Sequence, residues 1–184
     1  MDSNKQNLVN LVMLIGGILL ISGCRSMLIG NLLPNLEYNH SNYSDKNISL
    51  GVIRGGEIRT DQGMRDLSGK DEVTPELFSE ALYLSLKKSN MFKNVIRGNG
   101  GSLEVEADLV SQEVIPGFPI KVILFIHYRL INDGAIVWKK SFISTENSLN
   151  GEPITESRVR AMERAVKNNL EQFLTLLPTA LDSI

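Results

Sequence analysis

Along the chain the spacing of apolar positions changes several times, and the changes predict a small α+β domain behind an apolar leader. A mostly apolar run extends from Leu8 to Ile21. Further on, Ile48 to Ile53 reads as a first strand, and Gly55-Gly56 marks a bulge, a turn or a close backbone approach. The polar stretch from Arg59 to Lys70 predicts a loop. Thr74 then offers an N-cap, Pro75 suits the first helical position and Glu76 suits the positive end of a helix dipole. Leu77, Phe78, Ala81, Leu82 and Leu86 share one helical face, and the helix is expected to end near Asn90.

After a flexible connection at Arg97 to Gly101, Leu103, Val105, Ala107 and Leu109 alternate with Glu104, Glu106 and Asp108. That is the period of a half-buried strand, and the three acids form its solvent face. Pro116-Gly117-Phe118-Pro119 breaks the pattern. Lys121 to Ile131 and Ala135 to Thr145 then flank Asn132-Asp133-Gly134, whose Asp-Gly step predicts a long antiparallel hairpin. On its first strand Val122, Leu124, Ile126, Tyr128 and Leu130 point one way, and Ile123, Phe125, His127, Arg129 and Ile131 the other. The last segment predicts a long amphipathic helix, capped by Thr155 and ended by Pro178, with Val159, Met162, Val166, Leu170, Phe173, Leu174 and Leu177 on its buried stripe.

The elements run in the order β-α-β-β-β-α. They predict a mostly antiparallel sheet of about four strands with both helices packed on one face. The other face would expose Ile123, Phe125 and Ile131, together with Trp138 or its strand neighbours, as a candidate interaction face. A cover for it could come from the Arg59–Lys70 loop or from Met27 to Pro34.

The leader has the layout of an export signal: a polar start with Lys5, the apolar run, and small residues before a possible cut. Its roughly 14 apolar residues fall short of the ~20 needed to span a bilayer. Ile21-Ser22-Gly23-Cys24 closes it and contains the chain's single cysteine. These four residues resemble the lipobox of bacterial lipoprotein precursors. The resemblance implies cleavage between Gly23 and Cys24, a thioether-linked diacylglycerol on Cys24 and a further acyl chain on its amino group. Anchoring of that kind is firm, because each buried methylene contributes about 0.8 kcal/mol. Arg25, where an Asp would signal inner-membrane retention, favours the outer membrane, with inner-membrane or cell-surface placement as the alternative. The expected organisation is a signal peptide over 1–23, a lipidated N-terminus and mobile linker over 24–47, and one periplasmic domain over 48–184.

Nineteen Lys and Arg against 21 Asp and Glu, interspersed, provide no cationic field for nucleic acid. With Cys24 acylated, no thiol remains for a disulfide or a thiolate metal site. The two histidines, His40 and His127, have no nucleophile elbow to serve, and the Gly-rich connection lacks the Lys-Ser/Thr of a phosphate loop. No catalytic residue, metal or cofactor is expected beyond the covalent lipid.

Leu86 to Val95, the strand Leu103 to Leu109, the hairpin from Tyr128 to Trp138, Arg160-Ala161 with Glu163 and Ala165, and Asn169-Leu170 with Phe173-Leu174 together resemble Gram-negative outer-membrane lipoproteins of uncharacterised function. A more distant resemblance is to the auxiliary lipoproteins of ABC-type lipid transport systems. The resemblance implies a non-enzymatic accessory or docking subunit with a protein partner in the cell envelope. The alternatives are a lipid-binding or lipid-transfer module and, last, an envelope enzyme.

Overall fold

The computed structural model describes residues 29–36, 43–60, 72–98 and 100–184. Its elements are β1 (Asn47–Arg54), β2 (Glu57–Thr60), α1 (Pro75–Lys88), β3 (Asn94–Arg97), β4 (Leu103–Ile115), β5 (Lys121–Asn132), β6 (Ala135–Asn147) and α2 (Ile154–Asp182). The sheet runs β3-β1-β4-β5-β6, and β2 pairs with β4 beyond the end of β1.

The fold is α+β as expected, but the sheet is mixed and wider than four strands. β1 lies parallel to both β3 and β4, β2 lies parallel to β4, and only β4-β5 and β5-β6 are antiparallel. The cause is α1, which carries the chain over the sheet from β2 to β3 and returns it in the same direction, as parallel pairing requires. The sequence reading missed β2 and β3, which have four residues each. So short a segment shows no resolved period and owes its conformation to the strand beside it.

β1 and β2 form in effect one strand broken at Gly55-Gly56. A Cβ on Gly56 would come within 1.6 Å of the Leu109 carbonyl oxygen, so the glycine allows the close approach that the pair predicted. Facing that break, β4 carries a bulge between Leu109 and Ser111. Up to Leu109 the odd positions are buried, whereas beyond the bulge Gln112 and Val114 are. The buried amide of Gln112 accepts from Val73 N at 3.0 Å and donates to Val73 O at 2.6 Å, which fixes the entry to α1. Thr74 caps that helix as predicted, with Oγ1 accepting from Leu77 N at 3.2 Å.

The β5-β6 hairpin turns at Asp133 and Gly134, both at positive φ (48° and 81°), as a primed turn needs. Its core face is the predicted one: Val122, Leu124, Ile126, Tyr128 and Leu130 are fully buried. Tyr128 is at the centre. It stacks on Phe173 of α2 with ring centroids 4.3 Å apart, and its hydroxyl donates to Asn169 Oδ1 at 2.9 Å.

Two expectations about α2 are corrected. The helix begins at Ile154 with Pro153 at the N-cap, so Thr155 is a residue of the first turn and not the cap position. The start is held instead by Glu152, which accepts from Leu149 N at 2.8 Å and from Arg164 at 2.7 Å. Hydrogen bonding to Arg164 pulls the Glu152 carboxyl below its usual range. Nor does Pro178 end the helix, which continues to Asp182. Proline removes one backbone bond, but Leu177, Ala180 and Leu181 are all buried around it, and their burial favours continuation.

The stretch expected to be a linker is in part packed. Residues 29–32 are helical, and Leu32 is 1% exposed within the core cluster. Asn31 donates to Glu163 at 3.2 Å, and the Pro34 carbonyl accepts from Lys88 Nζ at 3.2 Å. Further along, Tyr43 is buried and its hydroxyl bonds Asp182 and, at 3.0 Å, the Pro178 carbonyl. These contacts lie on the helical layer, so residues 29–36 do not cover the opposite sheet face. The remainder of the Arg59–Lys70 loop lies outside the described residues.

Candidate interaction face

The two helices cover one side of the sheet, and β4, β5 and β6 present the other. Register sets its rows: Glu113–Ile123–Thr145, Ser111–Phe125–Ile143, Asp108–His127–Ser141, Glu106–Arg129–Lys139 and Glu104–Ile131–Ile136. Ile123, Phe125 and Ile131 therefore occupy the helix-free face and are half-buried there by neighbouring side chains. Beside them Ile143 and Ile136 are 60% and 57% exposed, large values for isoleucine. The rows divide by chemistry, with an apolar strip around Phe125 and Ile143 and a charged strip around Arg129.

Trp138 is not on this face. A bulge between Leu130 and Ile131 in the β5-β6 pairing leaves Val137 as an extra residue, so Trp138 pairs with Leu130 instead of Arg129. Its ring lies 6.3 Å from Phe173 on the helical side. Alternation counted from the turn predicts the opposite face, and no sequence signal marks the bulge.

The charged strip is a four-residue network across three strands. Arg129 Nη2 lies 3.1 Å from Glu106 and 3.0 Å from Asp108, while Arg54 Nη1 lies 3.2 Å from Asp108 and 3.6 Å from Glu106. The acids of β4 are thus less free than a plain solvent face would leave them. Arg129 alternates in β5 with the outward apolar residues, which is the signal that places it opposite those acids. The Arg54 side chain is half exposed, so its pairs add little to stability, and the network's main effect is to fix side-chain positions.

His127 Nδ1 is hydrogen-bonded to Ser141 Oγ, and Asp108 is the other neighbour in that row. The three residue types match a hydrolytic triad, but Asp108 gives its carboxylate to Arg54 and Arg129 rather than to the imidazole. A shallow recess of about 670 Å3 lies over His127, Arg129, Lys139 and Ser141. Among the described residues no three His, Cys, Asp or Glu side chains are placed to hold a metal ion, and no helix is long and apolar enough to cross a membrane. Gly23 and Cys24 lie outside the described residues.

A second concavity, of about 890 Å3, separates residues 30–35 from the N-terminal half of α2. Glu152, Arg160, Glu163, Arg164 and Lys167 line it along with Leu33 and Val159. Burial raises the Glu163 carboxyl above its usual range, against the opposing pull of its bond to Asn31.

No family model and no curated protein matches the sequence. Solved structures resemble it in fold. A Xanthomonas campestris protein of the DUF330 family superposes with a TM-score of 0.60 at 13% identity, covering 82% of this chain and 95% of its own. A hypothetical protein from Chlamydia trachomatis gives 0.51 at 10% identity, covering 74% and 98%. A minor lipoprotein from Acinetobacter baumannii, at 8% identity over 73% and 93% of the two chains, gives 0.40, too low to argue from. At these identities the likeness extends to the fold: the chain shares an α+β architecture with small proteins of Gram-negative bacteria.

Proposed function

We propose that this chain is a lipid-anchored envelope lipoprotein that acts as a non-enzymatic docking subunit of a transport or assembly complex. It is held by acylated Cys24 at the outer membrane and faces the periplasm. The observation that carries the docking role is the helix-free sheet face, where Phe125 and Ile143 form an apolar strip beside the fixed charges of Arg129, Glu106 and Asp108. An apolar strip with a charged border is the usual make-up of a protein-binding patch. β6 adds a 13-residue edge strand that could pair with a partner's strand.

The alternative, a lipid-binding module with a groove between sheet and helices, has less support. Tyr128, Phe173, Phe78 and Phe142 fill that space, and Leu32 is buried against the helical layer. Two measurements test the proposal. Palmitate should label the wild-type chain and not Cys24→Ala; equal labelling of both defeats the anchor. Affinity capture from membranes should recover an envelope protein with the wild type and lose it with a folded Phe125→Asp variant; equal recovery by both defeats docking through this face.

A further inference from the structure

Only four residues lie between Cys24 and Ile29, the start of the packed segment, and this restricts how an anchored domain can sit. Residues 29–36 are held on the helical layer by buried Leu32, by Asn31 on Glu163 and by Lys88 on the Pro34 carbonyl. Tyr43 continues the attachment at the far end of α2 through Asp182 and Pro178. The described contacts of this stretch thus lie at two points along α2, Asn31 at Glu163 and Tyr43 at Pro178 and Asp182. If all of 24–47 were loose, the tether could extend about 80 Å at roughly 3.5 Å per residue. With residue 29 docked, the five remaining steps reach at most about 17 Å.

We propose that the bilayer lies against the surface around the cleft between residues 30–35 and the N-terminal half of α2. The docked segment then acts as a short leash that turns the helical layer toward the lipid and the Phe125 face away from it. This rests on the anchor reading above and goes beyond it, because an anchored protein with a loose tether would have no preferred face. The occupant follows from chain length: an acylated residue within about 17 Å of the cleft brings the lipid interface to that side of the domain. The lining suits a headgroup layer, since Arg160, Arg164 and Lys167 stand there beside Glu152, Glu156 and Glu163 with no excess of either sign. The charged strip and the apolar strip of the sheet lie on the opposite side and remain open to a periplasmic partner.

Once Cys24 is acylated the chain has no other thiol, so an introduced cysteine takes a dye uniquely. Lys167→Cys beside the cleft and Lys139→Cys on the open sheet face are labelled in the full lipidated chain. Each is reconstituted in phosphatidylethanolamine/phosphatidylglycerol vesicles that carry an acceptor dye on the headgroups. Energy transfer from the Lys167 site should exceed that from the Lys139 site several-fold, and a long Gly/Ser spacer inserted after Ser26 should abolish the difference without touching the fold. Equal transfer from the two sites, or a difference that survives the spacer, overturns the proposal. Vesicle flotation reads the anchor separately: a chain that floats with equal transfer refutes the orientation alone, and a chain that does not float refutes the anchor and the orientation with it.

Discussion

Tyr128 and Asn169 are joined across the core by one hydrogen bond, 2.9 Å from the phenol hydroxyl to the amide oxygen, and neither side chain reaches water. Asn169 passes the contact on, its Nδ2 donating to the Phe142 carbonyl at 3.2 Å. The three partners come from β5, α2 and β6, so the chain of bonds ties the last helix to the hairpin at a fixed register. Tyr128→Phe leaves the Asn169 oxygen buried without a donor, at a cost of about 1–3 kcal/mol. Asn169→Leu should cost at least as much, because it strands both the phenol and a β6 carbonyl. Urea unfolding of the two single variants and the double should show clear coupling; strict additivity would mean that the bond contributes nothing.

Alkaline pH should weaken the fold through the same tyrosine. Burial raises the Tyr128 hydroxyl well above its ordinary value, and burial with the Asp182 contact raises Tyr43 to about 12. Unfolded tyrosines ionise near 10, so above that pH the unfolded chain loses protons that the native chain keeps. The tyrosine contribution is therefore complete below pH ~10 and falls as pH rises through the folded values. The urea midpoint should drop between pH 9 and 11, and the absorbance of ionised tyrosine should rise in step with unfolding.

Adjacent residues of β5 should respond oppositely to the same change. Ile126 is fully buried on the helical side, and Ile126→Asp should unfold the domain because it buries an unpaired carboxylate. Phe125 lies on the open face opposite Ser111 and Ile143, so Phe125→Asp should cost about 1 kcal/mol and leave the fold intact. Circular dichroism and melting temperature distinguish the two. A Phe125→Asp chain that fails to fold would show that this face is covered.

Gln112→Ala should loosen the entry to α1. The amide satisfies both the N–H and the carbonyl of Val73, and its removal leaves two buried backbone groups unpaired at about 1–3 kcal/mol each. Hydrogen exchange at the Val73 amide should accelerate before exchange in β4 and β5 does. Unchanged protection at Val73 would place the restraint elsewhere.

Local pattern was enough wherever an element is long and one of its faces is buried. The alternation of Leu103 to Leu109 and of Val122 to Leu130 gave the right core faces, and the stripe from Met162 to Leu177 gave the right side of α2. The candidate face was legible to the same degree: Ile123, Phe125 and Ile131 could be assigned by period alone, since a strand with one buried face has no choice about the other. Trp138 could not, because one extra residue at Val137 reverses the side on which it emerges.

By itself, then, the sequence determined the β5-β6 hairpin, the two amphipathic helices and the split between a covered and an open sheet face. Each depends on a repeat that one segment carries within itself, where burial of every second residue or of one helical stripe outweighs other terms. Only the tertiary structure decided the parallel pairing of β1, the strands β2 and β3, the bulges that turn Gln112 and Trp138 inward, the extension of α2 beyond Pro178 and the docking of residues 29–36. These depend on contacts between segments far apart in the chain. A four-residue strand or a single buried leucine such as Leu32 is stable only when its distant partner is already in place.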